Sequence, residues 1–152
     1  MKPSEINIRN KRATFEFEIL DTYVAGLILH GSEIKSIRSG KVNMNDAYCL
    51  FRDGELWIKN LNISEYKQAT HWQHEPLRIR KLLLNRKEIE KLLAKVKERG
   101  FTIVPLKLFI TDRGFAKIEI ALARGKKIHD KRESIRQKDE KRDLERSLRK
   151  YK

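Results

Sequence analysis

Glu33 and Lys35 stand two apart with Asp21 upstream, the order in which some nucleases arrange Asp…Glu-x-Lys around magnesium. That chemistry needs the Glu and the Lys on a strand, where residues two apart point to one side. Here they sit in "GSEIKSIRSG", where Ile34 and Ile37 are three apart, Ser32 can cap, and Gly31 and Gly40 bracket a short helix. His71 and His74 in "HWQHE" could place two metal ligands together, but His129 is remote and no cysteine pair assists. The single cysteine, Cys49, lies in the strand-like run "AYCLF" and reads as a small buried hydrophobe rather than a nucleophile. No glycine loop for phosphate, nucleophile elbow or pair of poised carboxylates is present. The reading is therefore no enzyme, no metal and no cofactor.

Charge points elsewhere. The 152 residues carry 35 Lys and Arg against 21 Asp and Glu, a net +14, and such a field attracts polyanions. Nucleic acid is the first candidate partner and an anionic membrane the second. No run approaches the roughly 18 apolar residues of a spanning helix, and "MKPSEINIRNKRATF" has no apolar signal core, so a cytoplasmic protein without a membrane partner is expected. Basic residues recur beside turns and helix ends: Arg9, Lys11 and Arg12; Lys35, Arg38 and Lys41; Arg78, Arg80, Lys81, Arg86 and Lys87. Clusters of this kind suggest a phosphate-contacting surface.

The elements that must position these groups follow from periodicity. "ATFEFEIL" and "YVAGLILHG" read as two strands with a turn at Asp21-Thr22, and Phe15, Phe17 and Ile19 alternate on one face. "DAYCLFRDGELWIKNLNI" reads as a hairpin, because Asp53-Gly54 supplies the positive-φ residues of a tight turn. Asn85 as N-cap, Glu88 three residues on, an apolar face of Ile89, Leu92, Leu93 and Val96, and Gly100 as stop define a helix. "FTIVPLKLFIT" and "FAKIEIALA" close the domain as strands joined at Asp112-Arg113-Gly114, with Val104, Leu106, Leu108 and Ile110 sharing one face. Six strands and two or three helices in residues 1–124 predict a mainly β fold, best an OB-type antiparallel barrel, since closure removes strand edges, while periodicity alone also fits a sheet with helices on one side. Residues 125–152 carry 12 basic and 6 acidic residues and no apolar stripe, so they read as a separate basic tail, disordered or a fraying helix when free.

Seven stretches carry a resemblance that composition does not. "GSEIKSIR" at Gly31 to Arg38, "RKLLLNRKEI" at Arg80 to Ile89 and "ARGKKIHDKR" at Ala123 to Arg132 occur in the order and spacing of the small protein B (SmpB) family, the tmRNA-binding proteins of bacterial trans-translation. "NKRA", "YVAGLIL", "RDGELW" and "VPLKLF" join them in register, so the resemblance covers essentially the whole chain. It implies an OB-type barrel that binds the tRNA-like domain of tmRNA and delivers it to stalled ribosomes. The tail would then occupy the empty decoding centre and mRNA path of the small subunit. Alanyl-tRNA synthetase and elongation factor Tu are implied as indirect partners, met through tmRNA. Nothing demands a dimer, and a monomer is expected.

Carried over position by position, the resemblance makes Gly31, Glu33, Lys35, Ser36 and Arg38 part of the RNA-facing region, with Glu33 orienting a base or cation rather than meeting phosphate. Leu83, Asn85 and Lys117 match positions implicated in tmRNA binding, and Lys11, Arg12 and Arg86 join them as basic neighbours. Lys117 lies on the outward side of its strand, Asn85 competes as a helix cap, and Leu83 divides evenly between core and contact. The family commonly has Glu where Val24 stands here, so that contact is absent or displaced. For the ribosome, the implied residues are Gly125, Lys126, Lys127, His129, Asp130, Lys131 and Arg132, the histidine able to stack on an exposed base. A structural ribosomal component, likewise basic and tailed, is the competing class.

Overall fold

The chain is built on one bent, closed sheet. A computed structural model describes residues 6–68, 73–97, 100–126, 136, 138 and 141–142. The strands are β1 (Asn7–Arg9), β2 (Phe17–Leu27), β3 (Val42–Asn43), β4 (Tyr48–Arg52), β5 (Glu55–Lys59), β6 (Asn62–Ile63), β7 (Arg80–Leu83), β8 (Phe101–Ile110) and β9 (Ala116–Gly125). The helices are α1 (Lys11–Glu16), α2 (Gly31–Arg38) and α3 (Arg86–Val96). Six strands run β8-β4-β5-β7-β2-β9, and a β9–β8 pairing shuts the ring, with β1 added on β8 and β3–β6 forming a separate ribbon. All pairings are antiparallel. This is the expected barrel, a sheet closed on itself. Among the described residues no helix is long and apolar enough to cross a membrane.

The Asp53-Gly54 turn joins β4 and β5 with φ of 53° and 74°, the two left-handed residues that match a hairpin's twist. Asn85 caps α3: its side chain accepts from the Glu88 N–H at 2.9 Å, while the Glu88 carboxylate accepts from the Asn85 N–H. Ile89 and Leu92 are the buried anchors of that helix.

Two expectations fail for one reason, the presence of β-bulges. β2 is continuous through Asp21-Thr22, where a turn is expected, and its register against β9 slips between Ile19 and Asp21, leaving Leu20 as the extra residue. Similarly, β8 slips between Pro105 and Lys107, with Leu106 extra. Each bulge turns the following residues to the other face. Ile103, Leu108 and Ile110 therefore fill the barrel, whereas Val104 and Leu106 pack outside it with Phe17, Ile19 and Ala13.

That outer cluster lies beneath α1, an element the alternation of "ATFEFEIL" conceals. Residues 13–16 are helix, not strand. Six residues cannot hold a helix alone. Asn10 caps it by accepting from the Ala13 N–H, and its Nδ2 donates to the carbonyls of Pro105 at 2.9 Å and Met44 at 3.2 Å. The Asn10 N–H meets the bulge carbonyl of Leu106 at 2.7 Å. Covered inside by core and outside by α1, Ile120 to Ala123 are buried on both faces of β9.

Candidate nucleic-acid interface

Three of the side chains expected to face RNA, Arg38, Leu83 and Lys117, meet where β2, β7, β9 and α2 approach the β8–β9 turn. Gly26 is paired with Leu83 on one side and Lys117 on the other. All three point outward, since Ala25, Leu27, Leu82 and Ile118 take the inward positions. A depression of about 260 Å³ opens there, floored by Leu27, Leu29, Ile34 and Ala116 and rimmed by Leu83, Phe115 and Lys117. Leu83 is 51% exposed, so its side chain stands on the surface and not in the core. Arg38 reaches the same rim, its Nη2 lying 3.5 Å from where a β-carbon on Gly114 would be. An apolar floor with a cationic rim suits a nucleic acid, whose bases have apolar faces and whose backbone is anionic.

Lys35 is exposed on the same helix and stacks its ammonium 5.4 Å over the Tyr66 ring. Gln73 pins Tyr66 with a pair of bonds, its Oε1 accepting from the Tyr66 N–H and its Nε2 donating to the Tyr66 carbonyl. Gly31 is exposed at the start of α2 with nothing near its α-carbon's open side. Asn85 is exposed and spends its Oδ1 on the α3 cap. Arg86 is exposed and loosely paired with Glu90 at 3.6 Å.

Other expected contacts need correction. Glu33 and Ser36 are buried, so neither presents a side chain to RNA. The Ser36 hydroxyl donates to the Ser64 carbonyl at 2.6 Å. Glu33 sits at the third position of α2, its Oε1 accepting from the His30 N–H at 2.8 Å and from Arg78 Nη2 at 2.7 Å, and its Oε2 accepting from Arg80 Nε. Burial pushes the Glu33 carboxyl up, but the bonds from Arg78, the His30 N–H and Arg80 outweigh it and hold the group below the ordinary carboxylate value. A helical Glu33 clamped by two guanidinia has none of the geometry of the Asp…Glu-x-Lys metal set.

Arg80 also leaves the basic surface. It is fully buried, donating Nη1 to the Leu61 carbonyl at 2.6 Å and Nη2 to the Pro76 carbonyl at 3.1 Å. Ser32, the expected cap, instead faces the buried His74. Because the Ile63 carbonyl 2.8 Å from His74 Nε2 can only accept, Nε2 carries the proton, and Nδ1 accepts from the Ser32 hydroxyl at 2.8 Å. His71 lies outside the described residues, and among those described no cluster of three or more His, Cys, Asp or Glu could hold a metal.

Lys11 and Arg12 lie on α1, apart from the depression. Lys11 lines a second groove with Arg9, Lys107 and Leu106. Arg12 is bound to Glu16 at 2.8 Å and Asp46 at 3.1 Å, and these partners, Glu16 first, raise its already high pKa. Of the tail, Gly125 ends β9 and Lys126 latches onto α1, its N–H to the Glu16 carbonyl and its Nζ to the Thr14 carbonyl. Arg136, Lys138, Lys141 and Arg142 have helical backbone, and the Lys138 ammonium lies 5.8 Å over the Phe15 ring. Lys127, His129, Asp130, Lys131 and Arg132 lie outside the described residues.

Sequence reasoning missed Gly26, Phe115 and the Arg78–Glu33–Arg80 cluster. A glycine inside the strand pattern "YVAGLIL" is a signal for close approach and was available. Phe115, 63% exposed, had no periodic signature because it lies in the β8–β9 turn, one residue before β9.

Comparison with known proteins gives one answer. Residues 7–150 match the family described as SmpB protein. The SsrA-binding protein of Phocaeicola vulgatus is 55% identical over 146 residues, 96% of this chain and 97% of its own. The SsrA-binding protein of Bacteroides thetaiotaomicron is 54% identical with the same coverage. Among solved structures, a chain described under "tmRNA-SmpB: a journey to the center of the bacterial ribosome" has a TM-score of 0.71 and 44% identity, covering 86% of this chain and 95% of that one. With the barrel and the sequence in agreement, this chain belongs to the SmpB family.

Proposed function

We propose that this chain is a tmRNA-binding protein of trans-translation that grips the tRNA-like domain with its barrel and delivers it to stalled ribosomes. The observation that carries the reading is the meeting of Gly26, Leu83, Lys117, Arg38 and Phe115 around one apolar depression on a chain of net charge +14. Arg38, Lys35 and Lys117 supply phosphate contacts, and Leu83, Phe115 and the Asn85 amide supply base or sugar contacts. The work is adaptor work: residues 1–124 bind RNA, and residues 125–152 enter the small-subunit decoding centre and mRNA path. No catalytic step is assigned. The place of action is the cytoplasm, the chain acts as a monomer, and alanyl-tRNA synthetase and elongation factor Tu are met through the RNA.

The test is to purify the protein from its host without nuclease treatment and to sequence the RNA that accompanies it; enrichment of tmRNA is expected. Binding to a tRNA-like RNA should weaken with salt by about 0.7 to 0.9 log units per neutralised phosphate and log unit of salt. Truncation after residue 124 should leave that affinity nearly intact and abolish tagging on stalled ribosomes. A flat salt response, or equal affinity for random duplex DNA, overturns the reading.

A further inference from the structure

Glu33 stands inside the contact region expected from the sequence yet is 0% exposed, with both carboxylate oxygens occupied by protein donors. What it joins is more telling than what it could touch. Through the His30 N–H it closes the first turn of α2. Through Arg78, whose Nη2 also donates to the Ile28 carbonyl at 3.3 Å, it reaches the end of β2. Through Arg80 it reaches the start of β7 and, by that guanidinium's other nitrogens, the Leu61 and Pro76 carbonyls.

The same three elements carry part of the rim of the depression: Arg38 on α2, Gly26 on β2 and Leu83 on β7. β2 and β7 are paired directly, and α2 is tied to both through one buried carboxylate. A cluster of this kind adds little stability over well-packed apolar residues, while it does specify register among the elements it ties. The geometry points to Glu33 as a positioning residue for RNA binding: without touching RNA, its carboxylate holds α2 against β2 and β7 in the arrangement the RNA recognises. This inference rests on the proposed RNA-binding function and deepens it.

The experiment is Glu33→Gln in the full chain, measured far below its unfolding temperature. Affinity for a tRNA-like RNA should fall at least about tenfold through lost preorganisation, with the salt slope unchanged, since no phosphate contact is deleted. In the RNA-free protein, amide exchange at Ile34 to Ile37 should accelerate while β8 and β9 stay as protected as in the wild type. Wild-type affinity in the variant would reduce the cluster to a stabilising role and overturn the inference. Weakened binding with unaltered α2 exchange would make Glu33 a direct contact and overturn it equally. Should Glu33→Gln not fold, Arg78→Lys, which loses the fork spanning Glu33 and Ile28, is read by the same measures. A wild-type chain that ignores this RNA overturns the proposed function, whereas α2 exchange still decides whether Glu33 holds the helix.

Discussion

Gly26 and Leu83 lie side by side across β2 and β7, so close that a β-carbon on the glycine would stand 3.3 Å from Leu83 Cβ and 3.8 Å from Lys117 Nζ. The glycine thus keeps the depression open between a hydrophobic and a cationic neighbour. Gly26→Val would fill it and push Leu83 outward, while its β-branched side chain suits a strand. Affinity for tRNA-like RNA is expected to fall about tenfold or more with thermal stability nearly unchanged, read by binding titration beside calorimetry. Unchanged affinity would remove the depression from the interface.

Cationic and aromatic rim residues should fail in different ways. Arg38→Ala and Lys117→Ala should each weaken binding and reduce the salt slope by about 0.7 to 0.9, the signature of one lost phosphate contact. Phe115→Ala should lower affinity by about 5- to 100-fold if its exposed ring stacks on a base, with the slope retained. Arg12→Ala should do little to either, because its guanidinium is already shared between Glu16 and Asp46. Titrations at several salt concentrations separate these outcomes.

Local signals carried much of this fold and long-range ones did not. Asp53-Gly54, the Asn85 capping box and the hairpin of β8 and β9 were all legible, because turn chemistry and caps depend on neighbours in sequence. The bulges at Leu20 and Leu106 were not, since a bulge is a mismatch with a partner strand and leaves each strand's own pattern plausible. α1 was lost for a related reason: alternating "FEFEI" fits a strand, and only the outer cluster of Val104, Ala121 and Ala123 makes it fold as helix first. Arg80 read as surface charge because its counter-ion, Glu33, lies 47 residues away.

Stability should respond to acid through Glu33. Its folded-state pKa lies below the unfolded value, so the stabilisation it contributes is fully present above the unfolded pKa, about 4.3, and is lost as pH falls through the lower folded value. Arg80→Ala removes one donor and leaves the carboxylate buried beside Arg78, at a cost of about 3–5 kcal/mol near neutral pH. The gap between wild type and variant in denaturant unfolding should begin to narrow as pH falls below the unfolded-state pKa and should close only once the folded wild type also takes up the proton on Glu33. A gap that is constant with pH would show that packing, not charge, dominates the cluster.

Cys49 is enclosed in the barrel core, and burial raises its thiol pKa far above the ordinary value. A protonated, enclosed thiol is a poor nucleophile. Alkylation should therefore proceed only through opening of the barrel, with a rate that rises in step with denaturant-induced unfolding. Stoichiometric labelling of the native protein within seconds by a bulky thiol reagent would contradict the burial.

Asn10 offers the sharpest separation of roles within one side chain. Its Oδ1 caps α1, while its Nδ2 feeds the carbonyls of Met44 and Pro105, the latter at the bulge of β8. Asn10→Ala removes both functions and should cost about 3 kcal/mol, the sum of a lost cap and buried carbonyls left unsatisfied. Asn10→Asp preserves the cap acceptor but turns a second, anionic oxygen against two carbonyl oxygens. If the donor side matters more, Asp is at least as destabilising as Ala near neutral pH and partly recovers in acid, when protonation restores an O–H donor. If the cap dominates, Asp is close to wild type at every pH. Chemical denaturation of both variants at pH 7 and pH 4 decides between a helix held by its cap and one held by its grip on the bulge.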